Sequence, residues 1–129
     1  MKYLIMMTQS PEDPVQEWTP DDVKASWAHM QQIHREMTEA GELLAAEKLA
    51  GPEATKVVTG DGISAPVVTD GVYPEAKELL AGFWMVDVDS EKRAIEIAAR
   101  TSAAPGPGGI PTRKPILVRP IMDAPPPEW

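Results

Sequence analysis

The side chains able to do chemistry form a small set: a few carboxylates, three cations or their partners, and two histidines. General acid–base work needs two titratable groups in different environments, one displaced by burial or by a neighbour. Asp70 and Glu47 are the first candidates for that role, with His29 as a third. Glu47 shares a strand face with Leu43, Ala45 and Leu49, and Asp70 opens an Asp70-Gly71 turn. Asp87 alternates onto the same face as Phe83 and Met85. If those faces enclose a cleft, the acids in it are partly desolvated. A plainer reading stands beside this one. Glu47 then sits at a strand end, Asp87 is solvated, and Asp70 accepts backbone N–H bonds within its own turn. Lys77 and Glu78 follow the turn, and with Arg119 and Asp87 they would bind a small anionic or carbonyl ligand. As surface ion pairs they would contribute little. His34 is the remaining ligand-binding candidate, although a histidine between Met30 and Met37 also suits a hydrogen-bonded core position.

Other chemistry is not signalled. His29 and His34 are five residues apart, whereas a helical metal pair wants three or four. The sequence has no HExxH motif, no EF-hand loop, no nucleophile elbow and no phosphate-binding glycine loop. The expectation is therefore no metal and no cofactor. Twenty acids against 12 bases give the 129-residue chain a net charge of −8, which argues against nucleic acid as a partner. The absence of cysteine excludes disulfides and thiolate metal sites and suits a reducing, cytoplasmic setting. No run approaches the roughly 20 apolar residues of a membrane span, and the short apolar start does not read as a signal peptide.

The elements that must position these groups can be placed. Lys2–Met7 reads as a buried strand. Thr19 caps a helix that has Pro20 at its first position, Asp21 and Asp22 in its first turn and Gly41 just past its end. Val23, Trp27, Met30, His34 and Met37 recur at spacings of 4, 3, 4 and 3, with Ile33 beside them, giving one apolar stripe. Leu43–Leu49 reads as a strand. Ala54–Thr59 and Ile63–Thr69 flank Gly60-Asp61-Gly62 as a hairpin. Pro74–Leu80 suits a helical turn, and Gly82–Val88 is a clear strand. Ser90 caps a second helix over Glu91–Arg100, with Ala94, Ile95 and Ala98 inward. Ile116–Arg119 is a short edge strand in a proline-rich arm that holds eight of the 14 prolines. One domain spans residues 1–122, and residues 123–129 form a tail. The order predicts an α+β fold, a ferredoxin-like antiparallel sheet with two helices on one face.

Both sheet faces are apolar. Trp84, Val86 and Val88 alternate with Phe83, Met85 and Asp87, and Tyr3, Ile5 and Met7 alternate with Leu4 and Met6. Two helices cover one face only, so the expected partner for the other is a second copy, in a homodimer packed sheet on sheet. The alternative is that the proline-rich arm folds across it.

Several motifs resemble the YCII-related proteins, in particular their DGPF branch. Met1-Lys2-Tyr3-Leu4 and Trp18-Thr19-Pro20-Asp21-Asp22 are similar to the family's opening. The run from Glu39 to Leu49 resembles its helix end, glycine and acid-bearing strand. Asp70-Gly71-Val72-Tyr73-Pro74 resembles the signature, followed by Gly82-Phe83-Trp84, and Val118-Arg119-Pro120 resembles the closing strand. The resemblance implies a dimeric α+β barrel and little about chemistry. Some members are proposed enzymes, and some are encoded beside extracytoplasmic-function sigma factors. The signature's Pro-Phe pair is replaced by Val72-Tyr73 here. The His–Asp pair associated with the wider group does not carry over, because Thr101-Ser102-Ala103-Ala104-Pro105 stands where its aspartate belongs. Two functions follow as expectations. One is a small enzyme or small-molecule-binding protein with a cleft at the dimer interface. The other is a non-catalytic regulatory module that meets a partner through the proline-rich arm.

Overall fold

A computed structural model describes residues 1–10, 17–72 and 78–123. Strand β1 (Lys2–Gln9) leads to helix α1 (Pro20–Glu39), then strand β2 (Leu43–Lys48). A hairpin of β3 (Lys56–Thr59) and β4 (Val67–Asp70) follows. Strand β5 (Leu79–Asp87), helix α2 (Glu91–Ser102) and strand β6 (Ile116–Pro120) complete the chain. The main sheet is antiparallel in the order β2-β5-β1-β6. Each helix therefore carries the chain across a strand supplied by the other half, which is the ferredoxin-like arrangement and an open α+β sheet.

The helix ends form as their residues dictate. Thr19 and Asp22 make a reciprocal capping box: the Asp22 N–H donates to Thr19 Oγ1 at 3.1 Å and the Thr19 N–H to Asp22 Oδ2 at 2.9 Å. These bonds, the Thr19 backbone bond foremost, hold the Asp22 carboxyl below its usual range. At the other end Gly41 takes a left-handed conformation, φ +70°, that any Cβ would strain. Ser90 caps α2 through the Arg93 N–H at 3.2 Å.

Both helices pack on one sheet face. Tyr3, Ile5, Trp84, Val86 and Val88 rise from the sheet to meet Ile33 and Met37 of α1 and Ala94, Ile97 and Ala98 of α2. Full burial of each large side chain stabilises the fold by about 1.5–3 kcal/mol. The inward face of α2 differs from expectation at one position. Ile97 is buried, whereas Ile95 is 53% exposed. Positions 94, 97, 98 and 101 lie at i, i+3, i+4 and i+7, and Ile95 is rotated off that stripe. The Thr101 hydroxyl is buried within it and donates to the Ile97 carbonyl at 2.9 Å.

The hairpin also differs. Its strands are shorter than the sequence suggested, because the Asp61 carboxylate accepts from the Ile63 N–H at 2.9 Å and the Ser64 N–H at 2.8 Å. Those bonds wind the tip into a longer loop and hold the Asp61 carboxyl below its usual range. The β3–β4 pair forms its own sheet, apart from the main one. The expected turn at Pro74–Leu80 becomes strand at Leu79 and Leu80, and residues 73–77 lie outside those described.

The second sheet face carries Leu4, Met6, Phe83, Met85 and Leu117, with Glu47 and Arg119 at its two edges. None of these side chains is fully buried. The described part of the arm does not cross this face. Its 3-10 turn, Pro107–Gly109, packs beside α1, where the Gly108 N–H donates to Asp22 Oδ1 at 3.1 Å. Further bonds tie Thr112 and Arg113 to the end of α2.

Candidate functional site

The apolar stripe of α1 runs the whole helix, but the sheet covers only part of it. Ile33 and Met37 are fully buried. Nearer the N-terminus Val23 is 54% and Trp27 65% exposed. Beneath this first half lies a cleft of about 710 Å³. Its roof is Val23, Ser26, Trp27, Met30, Gln31 and His34 of α1, with Trp18 just before the helix. Its floor comes from the end of β1 (Met7, Thr8 and Gln9) and from Ala81, Gly82 and Trp84 of β5. Thr101, Ala104, Thr112, Lys114 and Ile116 close one side. Ala46, Glu47 and Lys48 close the other.

Two local features of the sheet shape it. The β1–β5 ladder slips register between Met7 and Thr8, which bends the end of β1. Gly82 pairs with Lys48 on the helix-facing side. Gly82 is buried, and a Cβ there would stand 3.0 Å from the Glu47 carbonyl oxygen, so glycine lets β2 approach this closely.

The lining combines three indoles and two methionines with a few polar groups, the usual composition of a small-molecule site. His34 is half-buried in the roof, and its backbone carbonyl accepts from the Thr38 hydroxyl at 2.8 Å. Glu47 borders the cleft, but its register partner is Phe83, so strand alternation turns its carboxylate toward the open face. Lys48, one residue on, takes the helix-facing side. A smaller surface cavity of about 370 Å³ lies nearby, between Glu17 and the arm.

The other candidates from the sequence are dispersed. His29 does not reach the cleft: its Nε2 lies 2.7 Å from the Arg100 carbonyl, so the ring donates there and pins α1 to α2. Arg100 in turn donates to the Glu36 carboxylate, a bond that holds the Glu36 carboxyl down to about 2. Asp70 lies on the hairpin, exposed, and pairs with Lys56. Asp87 is exposed and accepts from the α-amino group of Met1 at 2.8 Å, which keeps its carboxyl below the usual range. Arg119 stands opposite Leu4 on the open face, and Glu78 is exposed just before β5. Lys77 lies outside the described residues. Of the candidate set, the structure brings His34 and Glu47 to one cleft.

The sequence reading missed Trp18, Trp84, Lys48 and Gly82 as site residues and read Trp27 as core. One signal was present: four tryptophans against two tyrosines and one phenylalanine is an unusual aromatic balance. Among the described residues no cluster of three or more His, Cys, Asp or Glu side chains is placed to hold a metal ion. No described helix is long and apolar enough to cross a membrane.

Comparison with known proteins places this geometry in context. The YCII-related domain family matches residues 1–114. An uncharacterised protein of Rhizobium meliloti is 27% identical over 104 residues, spanning 80% of this chain and 83% of its own length.

Proposed function

The chain belongs to the YCII-related family, and from that premise we propose that it is a small-molecule-binding protein whose site is the cleft beneath the first half of α1. The observation that carries this reading is a half-stripe of large apolar side chains held over a cleft of about 710 Å³. A contiguous patch of exposed apolar side chains marks a surface that binds something. Here they roof a space of ligand size with His34 among them. Histidine is the side chain suited to moving a proton near neutral pH, so a reaction at the site would centre on His34. A thermal-shift screen across a metabolite library tests the reading. A compound that stabilises the wild type and loses its effect in Ser26→Trp, which fills the roof, supports it. No stabilising compound, or one indifferent to Ser26→Trp, contradicts it.

The same proposal includes a homodimer formed through the open sheet face. Its apolar rows have no cover among the described residues, and Glu47 and Arg119 mark opposite edges. A two-fold axis that lays β2 of one copy over β6 of the other sets acid against base. Sedimentation equilibrium at micromolar concentration should give twice the chain mass, and Leu117→Glu should halve it. A wild-type monomer would rule the dimer out.

A further inference from the structure

The charge around the cleft runs against the charge of the protein. The chain carries −8, yet among the described residues that line the cleft two are lysines, Lys48 and Lys114, and one is an acid, Glu47. Among the described residues the acid at its border is Glu47, which belongs by strand alternation to the opposite sheet face. Lys48 stands where β2 and β5 approach over Gly82, at the side of the floor. Trp27 supplies flat apolar surface from the roof and Trp18 at the mouth, while Trp84, only 6% exposed, borders the floor from the core. Indole faces stack with planar ligands, and an ammonium beside low-dielectric walls attracts an anion more strongly than it would on an open surface.

We propose that the cleft takes a planar aromatic anion, with its ring system stacked on Trp27 and its negative group on Lys48. This rests on the cleft being the binding site and adds the class of ligand. An acidic protein repels anions over most of its surface, so a cationic site in it selects for charge as well as shape. The Glu47 carboxylate on the far face leaves Lys48 without an acidic partner among the described residues.

Three probes of one size class test the idea by calorimetry on the full chain: 2-naphthoate, its neutral counterpart 2-naphthalenemethanol, and its saturated counterpart decahydronaphthalene-2-carboxylate. The expected order places 2-naphthoate about tenfold tighter than either of the others, the equivalent of one charge-assisted hydrogen bond or one stacked pair. Lys48→Gln, an exposed substitution that leaves the core untouched, should erase the advantage of naphthoate over the alcohol. Added salt should weaken naphthoate and not the alcohol. Equal binding of naphthoate and the alcohol, or a naphthoate affinity indifferent to Lys48→Gln, overturns the anion and leaves the cleft as a site. Equal binding of naphthoate and decahydronaphthalene-2-carboxylate overturns the aromatic requirement. No heat from any probe overturns this proposal, and the library screen with Ser26→Trp then decides separately whether the cleft binds anything.

Discussion

The two halves of α1 are built from one pattern and serve different ends. Both present apolar residues at helical spacing to the same side. In the C-terminal half, Ile33 and Met37 are fully buried against the sheet, and Glu36 ties the helix to α2. In the N-terminal half, Val23 and Trp27 stay largely exposed above the cleft, and the capping box holds the helix end without help from a core. Periodicity therefore tells which side of a helix looks inward. Whether anything meets it there depends on what the sheet presents, and at Gly82 the sheet presents no side chain.

That contrast yields a graded set of outcomes. The largest belongs to the packed half. Ile33→Ala should lower stability by about 2–5 kcal/mol, through lost burial and the cavity left behind. Chemical denaturation reads this directly, and a loss near zero would mean that the half is not packed. Next comes the ion pair that joins the start of β2 to α2. Arg93 donates to both Glu42 oxygens, at 2.8 and 2.9 Å, with the pair largely buried. Glu42→Ala should cost about 1.5–3 kcal/mol, because a bidentate charge-assisted contact is lost and the guanidinium is left partly desolvated.

A smaller effect follows from Glu36. Its carboxyl is lowered to about 2 by the hydrogen bond from Arg100, so its contribution is present above the ordinary value of 4.5. That contribution fades as the pH falls from 4.5 toward about 2. Denaturation midpoints across this window should fall more steeply in the wild type than in Glu36→Gln. The smallest stability effect belongs to the open half. Trp27→Ala should change stability by no more than about 0.5 kcal/mol, as exposed substitutions do. The same change should strongly weaken ligand response, and that reversal of sensitivity between the halves is what the two-part helix predicts.

Much of the fold was legible from local chemistry. Thr19, Pro20 and Gly41 bracketed α1, and the alternation of Trp84 and Phe83 assigned both faces of β5. The phase of α2 was misread at Ile95, because in a short helix with alanines on two sides the apolar stripe is ambiguous by one position. The hairpin strands were overextended because a side-chain bond from Asp61, invisible in a pattern of apolar residues, sets the turn. The site was far less legible. His29 binds a main-chain carbonyl 71 residues away, and a carbonyl has no residue type to betray it. Lys48 and Gly82 become neighbours only through strand register. The acids that looked most chemical, Asp70 and Asp87, sit beside a lysine and an amino terminus, as ordinary surface charges do.

The central claim is that the uncovered half of α1 is a ligand site and that the apolar open face of the sheet is not. Chemical-shift mapping with 2-naphthoate separates the two directly. The indole N–H signals of Trp18, Trp27 and Trp84 should move together with the amides of Lys48 and Gly82, while the side-chain methyl signals of Leu4, Met85 and Leu117 stay in place. Shifts confined to Leu4, Met85 and Leu117, or indoles that do not respond at saturating probe, would contradict the account.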